Sequence, residues 1–203
     1  MTTIILYKKI NMKKINMKNL GIIILIILGL YFWGSYEGSS TLNPNLNEND
    51  SSILFPPKSQ NYISLSNGMI LFKNPSYLKG LGELEIKNGT NLDAVAKLVG
   101  IDIDKSILTL YIKAKSSYTM NKISKGNYKL FFSLGNDWDS ETKTFLVNPN
   151  YEKFEEIFDF TIREYEGNNY INTEYSTFEV TLNPVIGGDA ETQNVNSTEF
   201  ANY

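Results

Sequence analysis

The most distinctive group of side chains able to do chemistry is the loop Asn136-Asp137-Trp138-Asp139-Ser140-Glu141. Carboxylates clustered around one tryptophan are the raw material of a calcium or ligand site, since hard cations take carboxylate and carbonyl oxygens. The spacing lacks the third acid and the glycine of the common calcium loop, so no metal is expected here. Asp137, Trp138, Asp139 and Glu141 stand as candidates for contact with a ligand or partner. The plainer alternative has Trp138 lidding the edge of a β-sandwich with the acids in solvent. Asp102 and Asp104 lie in a turn-like stretch, GIDIDKS, which a solvated turn explains. Glu155, Glu156 and Asp159 invite comparison with the acid and base of glycoside hydrolysis, which requires two carboxyls facing one cleft. Adjacent residues of a strand project to opposite faces, so Glu155 and Glu156 cannot reach one substrate.

What the chain lacks narrows its chemistry further. It has no histidine and no cysteine. The commonest general base, every Ser-His and Cys-His arrangement, zinc-thiolate sites, disulfides and a lipidated cysteine are therefore excluded. A Ser-Lys dyad remains open in principle, but no signature selects a pair among the many Ser and Lys residues. No catalytic residue and no cofactor is expected, and the chain reads as a non-enzyme.

Residues 1–19 hold five lysines and no acid; the rest of the chain carries the other 14 of the 19 basic residues against all 22 acidic ones, a balance of −8. An acidic body with no basic patch excludes nucleic acid as the expected partner, because phosphate binding depends on clustered Lys and Arg.

The elements that would hold such residues read as strands. Thirteen Tyr and eleven Phe favour sheet over helix, and apolar and polar residues alternate in short runs broken by Gly and Asn turns. Strands are expected near 61–65 and 68–72, joined at Asn67-Gly68, then near 83–87, 93–99, 107–113, 117–121, 128–134, 142–147, 154–162 and 174–182, with 151–160 as a possible short amphipathic helix. In 107–113 the alternation sends Leu108, Leu110 and Ile112 to the core and Ile107, Thr109, Tyr111 and Lys113 the other way. So many short strands favour an all-β fold, an antiparallel β-sandwich of transthyretin- or immunoglobulin-like type, over residues 61–182. Lys125-Gly126-Asn127 and Asn88-Gly89-Thr90 are expected to be turns. Asn88-Gly89-Thr90 and Asn196-Ser197-Thr198 also match the N-glycosylation pattern, which is idle if the Ile, Lys and Asn bias marks a bacterial chain.

One N-terminal hydrophobic helix is expected to precede the sandwich. Leu20–Trp33 is an uncharged run, with Leu20, Ile22, Ile23, Ile24, Leu25, Ile26, Ile27, Leu28, Leu30, Tyr31, Phe32 and Trp33 as its membrane-facing residues. Five lysines precede it, which assigns residues 1–19 to the cytoplasm and everything beyond to the outside. Fourteen residues reach about 21 Å, short of the ~30 Å hydrocarbon core, so spanning would draw on snorkelling Lys18 and the aromatic belt Tyr31, Phe32, Trp33 and Tyr36. Two readings stand for 20–36: a single-pass anchor, or a signal peptide cleaved to release a secreted domain, though the segment after it carries no Ala-x-Ala motif. Initiation at Met17 would make the export signal compact. Residues 37–60, rich in Ser, Asn and Pro, read as a flexible polar linker, and 183–203 as a mobile C-terminal tail in which Phe200 could add to a sheet edge.

From Gly82 to about Phe160 the chain resembles an uncharacterised bacterial family of membrane-anchored β-domains, through Asn88-Gly89-Thr90, Asp93-Ala94-Val95 with Lys97-Leu98, Gly126 with Tyr128, Leu130 and Phe132, and Gly135 with Asp137-Trp138. More loosely, Ile123 through Gly126, Tyr128 and Leu130 to Gly135 is similar to transthyretin-like sandwiches, including the PEGA and carboxypeptidase-regulatory-like domains. The resemblance implies an extracytoplasmic β-sandwich and no activity. The expectation is a non-catalytic, membrane-anchored binding or assembly module of the cell envelope with a protein partner. The alternative is a carboxylate-dependent hydrolase or carbohydrate-binding protein using the 136–141 loop.

Overall fold

The computed structural model describes residues 6–16, 63–167, 170–183 and 190–203. The anchor or signal at 20–36 and the linker at 37–60 lie outside the described residues. Among the described residues no helix is long and apolar enough to cross a membrane.

Among the described residues the chain is mostly β, in two sheets, with a single 3-10 turn at Pro75–Tyr77 and one short α-helix. Its strands are β1 (Leu6–Asn16), β2 (Ile70–Lys73), β3 (Gly82–Asn88), β4 (Asp93–Gly100), β5 (Lys105–Ile112), β6 (Ser116–Ile123), β7 (Gly126–Asp139), β8 (Thr144–Phe154), β9 (Phe158–Phe160), β10 (Ile162–Gly167), β11 (Tyr170–Thr181) and β12 (Thr192–Asn194), followed by α1 (Ser197–Ala201). The smaller sheet runs β1-β11-β3-β6 with β10 also on β11, and the larger runs β12-β8-β7-β4-β5-β2 with β9 also on β7. Neighbouring strands are antiparallel, except that β11 lies parallel to β3. The expected wholly antiparallel sandwich is thus mixed at one pair, because β3 and β11 are far apart in sequence and need no hairpin between them.

The two sheets bury a common core. Leu84 and Ile86 of β3, Met120 of β6, and Phe178 and Val180 of β11 meet Ala96 and Leu98 of β4, Leu108 and Leu110 of β5, and Leu130 and Phe132 of β7 in one apolar cluster. Leu108, Leu110 and Ile112 face the core as expected, but Ile107, expected on the other side, joins the same cluster where the pairing with β4 slips between Leu98 and Val99, and Thr109 and Tyr111 are buried too. A second cluster on the other face of the larger sheet takes Val95, Val99, Tyr111, Phe131, Trp138, Phe145 and Phe200. Strands covered on both faces lose their polar side, which is why 107–112 is apolar but for Thr109.

Several expectations change. Residues 63–66 are irregular, not strand. The stretch 142–162 holds the long β8 and the short β9, and 151–154 belongs to β8 instead of a helix. β10, absent from the sequence reading, forms with β11 a hairpin in a run of exposed polar residues, Arg163, Glu164 and Glu166, that carries no apolar alternation. The C-terminal segment is no loose tail: β12 pairs with β8, and Phe200 of α1 is buried. Asn196 caps α1 by accepting from the Glu199 N–H. Residues 6–16, read only as a basic flank, form β1 and pair along the whole of Tyr170–Val180.

Turn chemistry is as the Asn-Gly pairs suggest. Gly68 has φ +78°, and a Cβ there would lie 2.2 Å from the Tyr118 ring, so glycine is required on both counts. Asn88 does more than turn the chain. Buried, it donates from Nδ2 to the carbonyls of Leu92 and Lys113 at 2.8 and 3.1 Å, and its Oδ1 accepts from the Thr90 N–H and hydroxyl. It ties the β3–β4 turn to the end of β5, and a side chain so engaged is closed to glycan attachment. Asn88→Ala would strand those buried carbonyls and the Thr90 donors, lowering unfolding free energy by about 2 kcal/mol; urea denaturation of the two proteins measures it.

Candidate functional site

The outer face of the larger sheet is where the predicted loop arrives. Along β7, Phe131 and Ser133 project to this face and Leu134 to the core; an irregularity in the pairing with β8 falls between Leu134 and Asn136. A bulge reverses the parity of the residues after it, so Trp138 joins Phe131 on the outer face. Gly135 allows the bend, since a Cβ there would lie 2.4 Å from the Cβ of Phe145. The indole packs edge-on against Phe145 and Tyr111, with centroids 5.1 and 6.0 Å away, a favourable aromatic geometry.

Of the four residues singled out from the sequence, three have structural tasks. Asp137, at φ +60°, accepts the Ile63 N–H at 3.0 Å, while the Trp138 N–H donates to the Ile63 carbonyl. Together they clamp the segment leading into β2. Asp139 accepts the Glu141 N–H at 2.9 Å and the Thr142 hydroxyl at 2.6 Å, closing the β7–β8 turn. The Thr142 hydroxyl, then the Glu141 N–H, hold its carboxyl below the usual range. Trp138 is buried. Glu141 is exposed. A hydrolytic acid needs a carboxyl pushed up in a cleft, whereas Asp139 moves down. Among the described residues no three acids converge as a metal ion would require.

Trp138 apart, the sequence reading singled out none of the residues that line a concavity. A cleft of about 350 Å³ opens on the outer face between Leu71, Phe72, Val95, Trp138 and Tyr203, with Lys97 and Lys143 at its polar side. A second, wider hollow of about 720 Å³ shares Lys97, Lys143 and Ala201 and continues toward Tyr151 and Ser197. No carboxylate side chain lines either one.

Lys97 is the unusual member. It sits mid-strand in β4, opposite Thr109 of β5 and Phe131 of β7. Its ammonium donates to the Phe200 carbonyl at 2.7 Å and stands 4.3 Å from the Phe200 ring centroid, a cation–π position. Among the described residues the ion pairs are Lys87–Glu179 and Lys153–Glu199, so Lys97 and Lys143 are in neither. Burial, with the Lys143 charge adding to it, brings Lys97 down to about 8. The Ser133 hydroxyl and Trp138 Nε1–H are also buried without a hydrogen-bond partner, a kind of group that native interiors keep few of. Sequence alone had one signal for Lys97, a lysine inside the apolar run Ala94-Val95-Ala96-Lys97-Leu98-Val99.

Nearby, Tyr111 donates to Asp93 Oδ2 at 2.5 Å and the Ala114 N–H donates to Asp93 Oδ1 at 2.7 Å. Burial, and then this bond to Asp93, push the Tyr111 phenol far above its ordinary value. The pair is a fixed structural tie beneath the segment 63–66.

Lys97 has a consequence for stability. Its folded value is depressed below that of the unfolded chain, so between about pH 8 and 10.5 the unfolded state holds the extra proton and stability rises with pH; below about 8 the penalty is present in full. Discounted for the part of the side chain that water still screens, the gain across that window is on the order of 2 kcal/mol. Lys97→Met removes it, so wild-type and variant unfolding free energies measured at pH 7 and pH 9.5 are expected to converge toward the higher pH by that margin. Comparison with protein-family models, with curated proteins and with solved structures gives no match for this chain.

Proposed function

We propose that the domain is a non-catalytic binding module, a sandwich of transthyretin- or immunoglobulin-like type, held at the outer side of a cell membrane by the apolar run 20–33 and working with a protein partner of the envelope. The observation that carries the binding reading is the outer-face cleft, apolar on one side and bearing two lysines with no carboxylate on the other. Concave, largely apolar sites with a few convergent polar groups are where ligands bind. Support against chemistry comes from composition, which supplies no His or Cys, and from the 136–141 loop, where Asp137 and Asp139 are committed to backbone and turn.

Strand β1 makes the placement testable. A single crossing by 20–33 would leave residues 6–16 and β11 on opposite sides of the membrane, with the β11 edge uncovered. Pairing of β1 with β11, as described above, requires both on one side, so a molecule anchored by a single crossing must give that pairing up, and initiation at Met17 would remove β1 altogether. The cysteine-free chain allows a clean assay: Met12→Cys with Glu174→Cys, and Asn11→Cys with Tyr175→Cys, join opposed residues of the register, and paired strands bring such Cβ atoms within disulfide range. The anchored reading predicts that membrane-bound molecules form neither crosslink on oxidation. Efficient intramolecular crosslinking in the membrane fraction overturns it.

A further inference from the structure

We propose that the outer-face cleft binds a small amphipathic carboxylate, its acid group between Lys97 and Lys143 and its apolar part against Leu71, Phe72 and Trp138. This rests on the reading of the domain as a binding module and names its ligand class.

Charge comes first. The body of the chain is acidic, yet both outer-face hollows carry Lys97 and Lys143 and no acidic side chain. A half-buried ammonium on a central strand is costly unless an anion or strong acceptor meets it. In the protein itself Lys97 finds one backbone carbonyl, that of Phe200, and its charged neighbour is another lysine. A carboxylate placed between them relieves that repulsion and accepts charge-assisted hydrogen bonds. Size and shape come second. At about 350 Å³ the cleft is at the small end of ligand sites, which favours a free small molecule over a peptide or folded partner. Its wall continues outward into an apolar lip, with Ile70 and Phe72 each about half exposed and Met69 beside them. Single exposed apolar residues are ordinary, but three in one short edge segment beside a cleft form a patch. An apolar tail or ring gains by covering it.

The ionisable groups around Lys97 are Lys143, with Asp139 and Glu141 in the same turn, and Glu199 and Tyr203 from the C-terminal segment. Glu199 is taken by Lys153, and Tyr203 lies beside Asp104. No Asp or Glu side chain lines the cleft, and the Tyr203 phenol that does is pushed up and stays neutral, so the side chains a bound carboxylate meets include two ammonium groups and no carboxylate.

The probe is decanoate, titrated calorimetrically into the full chain below its micellar concentration, with decanol and decyltrimethylammonium as uncharged and cationic counterparts. Decanoate is expected to bind at least tenfold more tightly than either. Lys97→Met is expected to weaken it about ten- to a hundredfold. Lys143→Asn, which keeps a residue tolerant of the positive φ at that position, is expected to weaken it several-fold while leaving decanol unaffected. Affinity should fall as pH rises past about 8, as Lys97 loses its proton, and that loss should vanish in Lys97→Met. A merely structural lysine would not produce this selective pattern. Equal binding of the three probes, preference for the cation, or full decanoate affinity in both folded variants overturns the carboxylate assignment and leaves a module that binds by apolar contact. No binding of any probe overturns the small-molecule ligand itself, while the crosslinking result on membrane placement stands independently.

Discussion

The larger sheet is apolar on both faces, and one partner sheet can cover only one of them. Every feature of the outer face follows from that constraint. Val95, Val99, Tyr111, Phe131, Trp138 and Phe145 would stand in water if nothing else packed there. The chain covers them with two of its own segments: 63–73, clamped through Ile63 to Asp137 and Trp138, and 195–203, seated by Phe200. The two covers leave a gap between them, and the gap is the cleft. A cationic side chain on the central strand is tolerable there because its head reaches a helix carbonyl and an aromatic face.

The same constraint explains why the 136–141 loop misleads. Its tryptophan and acids look like a binding loop because they combine a large aromatic with charge. In the structure the bulge at Gly135 turns Trp138 onto the outer face, and the flanking acids are spent holding backbone. Trp138 borders the cleft after all, but through the edge of an aromatic cluster and not through the carboxylates. The charged residues facing the cleft are others, Lys97 from β4 and Lys143 from the far end of the same β7–β8 turn.

What was legible in the sequence was what depends on local pattern. Alternation located β3, β4, β5, β6 and half of β7, and glycine and asparagine located turns between them, because period and φ are properties of a few adjacent residues. Less legible was anything decided by distant pairing. β10 carries only Ile162 and Tyr165 as large apolar residues and is a strand because β11 lies beside it. The parallel β3–β11 pair, the docking of Phe200, and the burial of Thr109 and Tyr111 on a face expected to be solvated all depend on which segments meet across the fold. Lys97 was visible as a charge in an apolar run, but its role depends on Phe200 and Lys143, neither of which is near it in sequence.

The central claim is that the chain's own C-terminal segment is an integral cover of a second apolar face. Phe200→Ser tests it most directly, with unfolding free energy measured by urea and hydrogen exchange followed in residues 195–203. The account predicts a loss of about 2–4 kcal/mol, as for emptying a buried aromatic site, with protection lost across that segment. A change within about 0.5 kcal/mol, the size expected of a surface substitution, with exchange unaltered, would contradict it.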